Sequence, residues 1–113
     1  MEVLFKSAKL QKVCNSEKAL RREFGTVNGD RIARRLVEME AVNTLADLFS
    51  IPQARCHELT ADRRGQFSVD VEQPYRLFFE PADEPVPTKP DGGIDVARVT
   101  TVRVLEIGDP HGK

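Results

Sequence analysis

Four residues of this chain have types that could do chemistry together: His57, His111, Asp109 and Arg76. Cleavage of a phosphodiester by an RNA 2'-hydroxyl needs a base for that hydroxyl, cations for the charge on the phosphorane, and an acid for the departing 5'-oxygen. Two imidazoles, a carboxylate and a guanidinium suffice for this, and no metal or other cofactor is required. Asp109 stands two residues before His111, close enough in sequence to fix its tautomer. Arg76 lies between Tyr75 and Leu77, on the same face of its strand as Phe78 and Glu80. An arginine in so apolar a strand needs a partner, with Glu58 or Glu80 as a structural one and a phosphate as a functional one. Arg63 and Arg64 precede Gly65 in a turn between two strands, where their guanidinium groups can grip a phosphate.

Each of these residues also has a plainer reading. A single strand histidine is more often packed or simply at the surface, Asp109, Pro110 and His111 fit a frayed C-terminus, and Arg63 and Arg64 fit a solvated hairpin tip.

The elements that must position these residues follow from periodicity. Residues 55–79 alternate apolar and polar side chains with a period of two, giving strands over 55–59, 66–71 and 75–80. In the second of these Phe67, Val69 and Val71 face inward and Ser68 and Asp70 outward. The third is apolar on both faces and reads as an interior strand. Residues 2–6 make a first strand and 99–107 a last one, while 81–93, with four prolines and two glycines, form a loop. Between the first and second strands the pattern is helical. Residues 7–24 form one bent helix or two short ones, with Ser7 and Ser16 as N-caps and Gly25 as terminator. Asn28, Gly29 and Asp30 then offer caps for a helix whose apolar stripe runs through Ile32, Leu36, Met39, Val42, Leu45 or Ala46, and Phe49. Thr44 and Asp47 have the spacing of a capping box, and Pro52 ends the helical region. The face opposite the stripe carries Arg31, Arg34, Arg35 and Glu38, read as a solvated surface with Arg–Glu pairs.

The sum is a single α+β domain over 1–113, with an N-terminal strand and two to three helices packed on one face of a mostly antiparallel sheet of four to five strands. His57, Arg76 and residues 109–111 are then expected on one groove, with Arg63 and Arg64 at its rim and the helices behind the sheet.

Composition narrows the setting. With 40% apolar and 31% charged residues the chain reads as an ordinary globular domain, and no apolar run approaches the ~20 residues of a membrane span. The first ten residues lack a secretory core and cleavage site, which points to the cytoplasm. Cys14 and Cys56 are expected to be reduced thiols, and two cysteines with two histidines at this scatter lack the paired spacing of a zinc site. The formal charge of -1 makes the whole chain a poor electrostatic binder of nucleic acid, so any phosphate contact must rest on a local cluster. Residues 1–80 hold thirteen Lys/Arg against twelve Asp/Glu, and residues 81–113 hold four against six, so acid gathers towards the end.

The joint order of HEL at 57–59, DRRGQFSVDV at 62–71, PYRLFF at 74–79 and VLEIGDPHGK at 104–113 resembles the HigB-like toxins of the RelE/ParE superfamily, the plasmid maintenance system killer proteins. The resemblance implies a RelE-like fold and a toxin of a type II toxin–antitoxin system. Such a toxin enters the ribosomal decoding site, cuts messenger RNA there, and is held in check by a small helix-turn-helix antitoxin of the HigA kind. It further implies that His57 matches the family's strand histidine, that Asp109 and His111 match its C-terminal Asp and His, and that Arg76 faces the scissile phosphate. Pro110 stands where the family has an aromatic residue, the 81–93 loop is longer and more acidic than usual, and the chain is not basic. Those departures carry the alternative, a weak or inactive RelE-fold binding module whose main partner is the antitoxin.

Overall fold

The computed structural model describes residues 1–110; His111, one of the four candidate site residues, lies outside the described residues. Among the described residues the helices and strands follow in chain order as β1 (Glu2–Phe5), α1 (Ala8–Cys14), α2 (Glu17–Phe24), α3 (Thr26–Ala41), α4 (Leu45–Phe49), β2 (His57–Glu58), β3 (Phe67–Asp70), β4 (Arg76–Pro81) and β5 (Thr101–Gly108). The strands form one sheet in the order β1-β5-β4-β3-β2, antiparallel except for the β1–β5 pair. The fold is thus α+β, with the apolar strand β4 in the middle of the sheet as its composition requires.

Local chemistry explains the helices. Ser7 Oγ accepts from the Leu10 N–H and Ser16 Oγ from the Ala19 N–H, so both caps operate and the 7–24 segment is two helices rather than one bent one. Gly25, at φ 89°, lets the chain turn directly out of α2 into α3. Asn28, Gly29 and Asp30 therefore do not cap α3 as expected; they lie inside it. Asn28 is buried, and its side-chain oxygen accepts from the Glu72 N–H at 3.0 Å, tying α3 to the turn before β4. Gly29 sits where a Cβ would stand 2.8 Å from the Arg21 nitrogen, so its missing side chain is what lets α2 and α3 touch. The Thr44–Asp47 capping box forms and starts α4 afresh, which breaks the expected stripe: Leu45 and Leu48 enter the core, whereas Phe49 is 43% exposed and only edges against Phe67.

One face of the sheet is the core face. Phe67, Val69, Leu77, Phe79, Val102 and Val104 are fully buried there, in one cluster with Ile32, Met39, Leu45 and Leu48 of the helices. Burial of each such side chain contributes about 1.5–3 kcal/mol. The opposite face is set by register: His57 pairs with Ser68, Ser68 with Phe78, Asp70 with Arg76, and Arg76 with Gly108. A register shift between Phe78 and Phe79, where β5 carries Leu105 as an extra residue, keeps Phe78 on the outer face and Phe79 in the core.

Two strand expectations need correction. The strand over 55–59 shrinks to His57 and Glu58, because Pro52–Ala54 coil into a 3-10 turn closed by Arg55 in the left-handed region at φ 47°. Ser68 and Asp70 do point away from the core, yet both are buried, since the open face has its own cover of side chains. The 81–93 loop is tied to the sheet. Asp83 accepts from the Thr100 and Thr101 N–H groups and the Thr100 hydroxyl, and a bridge joins Thr88 to Ile94. Burial pushes the Asp83 carboxyl up, but those hydrogen bonds outweigh it and hold the group below its ordinary value.

Candidate functional site

The open face of β2–β3–β4 carries His57 and Arg76 side by side. His57 is exposed, and its Nδ1 lies 3.0 Å from the Arg55 carbonyl oxygen. A carbonyl can only accept, so in the neutral ring Nδ1 carries the hydrogen and Nε2 keeps its lone pair. That lone pair faces Arg76, whose Nη1 is 3.4 Å from Nε2. The strained turn at Arg55 and the two-residue strand after it are what aim the ring: the carbonyl that fixes its tautomer belongs to the left-handed residue two positions earlier.

Asp70 is the hub behind this pair. Its Oδ2 lies 3.0 Å from Arg55 Nε and accepts from the Gln73 amide at 3.2 Å, and its Oδ1 lies 3.8 Å from Arg76 Nε. The expected partners of Arg76 were Glu58 and Glu80, and neither serves. Glu58 lies across the β2–β3 pair from the core-face residue Phe67, and Glu80 binds Arg103 at 3.0 Å, opposite it across the β4–β5 pair. Asp70 takes the place because it pairs directly with Arg76 across the β3–β4 ladder.

Next to the hub opens a cleft of about 660 Å³ between α3, the 52–54 turn and the start of β4. Among the described residues five arginines line it, Arg31, Arg34, Arg35, Arg55 and Arg76, with Asp70 as the one carboxylate. Arg31 and Arg34 are exposed, whereas Arg35, read with them as solvated surface, is buried. Arg35 is 6% exposed and fully engaged: Nε donates to the Asp70 carbonyl at 2.8 Å, Nη2 to the Gln53 carbonyl at 2.9 Å and Nη1 to Glu38 at 3.1 Å. It pins α3 to β3 and to the turn before β2. The i, i+3, i+4 spacing of these arginines was visible in the sequence; that a second wall, from Arg55 and Arg76, closes over them was not.

Arg63 and Arg64 take a different place. The Arg63 guanidinium lies 4.0 Å over the Phe78 ring, binds Glu106 at 2.6 Å and donates to Gln66 at 2.8 Å. It covers Phe78 on the open face instead of lining the arginine cleft, and its charge is matched by Glu106. Arg64 is exposed at the turn. Asp109 is half-buried and follows Gly108, the residue paired with Arg76, so the chain leaves β5 alongside that arginine. The structure thus brings together His57, Arg76 and the start of the 109–111 segment, and adds Asp70 and Arg55 to them.

Cys14 and Cys56 are free thiols, and burial pushes the first up to about 11 and the second to about 12, which keeps both protonated and unreactive at neutral pH. Among the described residues no group of three or more His, Cys, Asp or Glu is placed to hold a metal ion, and no helix is long and apolar enough to cross a membrane. Comparison with protein-family models and with curated proteins gives no match for this chain.

Proposed function

We propose that the chain is the toxin of a type II toxin–antitoxin pair, a metal-independent endoribonuclease that cuts messenger RNA on the ribosome. The observation that carries this reading is the approach of His57 Nε2 and Arg76 Nη1 to 3.4 Å on the open sheet face, beside the strand end that leads into Asp109. In this scheme His57 Nε2 takes the proton of the 2'-hydroxyl, the oxygen attacks the adjacent phosphorus, and Arg76 offsets the charge on the phosphorane. The 5'-oxygen leaves with a proton from His111, held by Asp109, an assignment that comes from the sequence resemblance alone. A chain of net charge -1 binds free RNA weakly, which fits a requirement for the ribosome to present the message. The partner that restrains it would be the helix-turn-helix antitoxin.

Adding the purified protein to a translating extract should give message cut within codons. His57→Gln should cost little stability, since the side chain is exposed, and should remove most of the cleavage, because general acid–base steps are worth ~100- to 10,000-fold. Intact message at full excess of the wild-type protein would sink the reading.

A second reading has its own observation. Asp70 already holds Arg55 and Arg76, so the guanidinium groups that would meet phosphate have a carboxylate in attendance. A binding module whose partner is the antitoxin would tolerate that. Induced expression without antitoxin separates the two, with growth arrest for the nuclease and continued growth for the module.

A further inference from the structure

We propose that Arg31, Arg34 and Arg55 form a second phosphate subsite beside Arg76, which holds a neighbouring backbone phosphate of the bound RNA strand, with the Asp70 carboxylate as its resident counter-ion. The identity of the ligand as RNA rests on the function proposed above; the subsite itself rests on the cleft.

Three observations carry it. First, the charges in the cleft do not cancel. Arg35 is consumed by Glu38 and two carbonyls, which leaves Arg31, Arg34, Arg55 and Arg76 against Asp70 alone among the lining residues. Second, Asp70 is only 7% exposed, and its Oδ1 accepts no hydrogen bond among the described residues, its ion-pair distance to Arg76 being a long 3.8 Å. The Arg55 side chain, 75% exposed, has N–H groups to spare beyond its 3.0 Å pair with Asp70, so an incoming anion can share Arg55 with that carboxylate without unfolding anything. Third, the lining is almost wholly polar, with Val71 its one aliphatic residue and no aromatic. Most protein segments bind through apolar anchors, which this lining does not offer, whereas a phosphodiester backbone is met by guanidinium forks. The cleft shares Arg76 with the His57 pair, so one strand can engage both.

The test uses a fluorescent single-stranded RNA pentamer and the full chain carrying His57→Gln to prevent turnover, followed by anisotropy at about 10 mM salt, where screening reaches only beyond about 30 Å. The Arg31→Gln, Arg34→Gln pair should weaken binding by roughly tenfold or more and flatten the plot of log affinity against log salt by about 0.7 for each phosphate that is no longer neutralised. Asp70→Asn should tighten binding several-fold, and Arg98→Gln, at an exposed arginine paired with Asp95 and outside the cleft lining, should change nothing. Thermal melts confirm folding of each variant. Unchanged affinity and slope in the arginine pair, or no binding by the parent at about 10 mM salt, would overturn the subsite. So would a glutamate-rich peptide that binds where the RNA does not, which would give the cleft to a protein partner. Failure of the function would look different: binding with all these signatures but intact message in the translating extract.

Discussion

Arg35→Ala separates the framework of the cleft from its ligand-facing wall. The Arg35 side chain is 8% exposed and that of its partner Glu38 is 16% exposed, so the substitution strands a nearly buried carboxylate and two backbone carbonyls. Hydrogen bonds from a charged donor are worth about 1.5–3 kcal/mol each, and two go from Arg35 to the Asp70 and Gln53 carbonyls. Gln53 is exposed and its carbonyl can rehydrate, which pulls the sum towards its lower end. Breaking a buried pair by removing one partner costs about 3–5 kcal/mol by an independent route, so about 3–4 kcal/mol is expected. That is a large share of the roughly 5–15 kcal/mol that holds a domain folded, and at about 4 °C per kcal/mol it lowers Tm by roughly 12–16 °C. Arg34→Ala, one residue away and exposed, should stay within about 0.5 kcal/mol of wild type. Urea unfolding followed by circular dichroism reads both. A loss below about 1 kcal/mol for Arg35→Ala, or an equal loss for Arg34→Ala, would refute the division of the arginine run into one structural and two free side chains.

Two further perturbations test the frame around the site. Gly29→Ala would drive a Cβ to 2.8 Å from the Arg21 nitrogen and 2.9 Å from the Leu20 carbonyl carbon; since these are backbone atoms, α2 and α3 must part, and the urea midpoint should fall by the equivalent of about 1–3 kcal/mol despite the better helix propensity of alanine. Asp83 has its folded pKa lowered by the Thr100 and Thr101 hydrogen bonds acting against burial, so its contribution is complete above the ordinary carboxylate value and fades as pH falls through the folded value. The stability gap between wild type and Asp83→Asn should therefore be full at neutral pH and shrink below about pH 4, and a gap that widens on acidification would contradict the hydrogen-bond account.

The fold was legible where side-chain periodicity and caps speak locally. Ser7, Ser16, the Thr44–Asp47 box and the apolar run of β4 each state their element in their own neighbourhood, and each forms. What was misread depends on contacts between distant segments. Asn28 reads as a helix cap by type, but Glu72, 44 residues later, supplies its partner, and Gly25 has already started the helix. Phe49 continues a helical stripe on paper, yet the capping box resets the phase of the helix and puts Leu48 in the core instead. In the site, His57 and Arg76 were visible because each is a conspicuous type in a strand. Asp70 was not, because an outward polar residue in an alternating strand is ordinary, and only the pairing of β3 with β4 sets it against Arg76.

The overall charge and the local charge act over different distances. A net -1 weakens the long-range attraction of the whole chain for RNA, while a phosphate in contact with the surface feels the nearby charges first. Four of the six acids beyond residue 80, Asp83, Glu84, Asp91 and Asp95, follow Pro81, at the far end of β4 from Arg76, whereas Asp109 follows the residue paired with Arg76. Five residue steps at about 3.3 Å put those two ends about 17 Å apart, roughly twice the ~8 Å screening length at physiological salt. An anion in the arginine cleft therefore responds to the lining charges Arg31, Arg34, Arg55, Arg76 and Asp70 and to Asp109 beside Arg76, and hardly at all to the acidic loop. The clustering arises because α3 presents Arg31 and Arg34 on the face opposite Ile32 and Leu36, and because Arg35 fastens that face against the carbonyl of Asp70. The same guanidinium that stabilises the packing of α3 on β3 thereby brings Arg31 and Arg34, exposed and in no ion pair among the described residues, into one cleft with Arg76. Local charge, fixed by one buried arginine, outweighs the total at the place where a phosphate would sit.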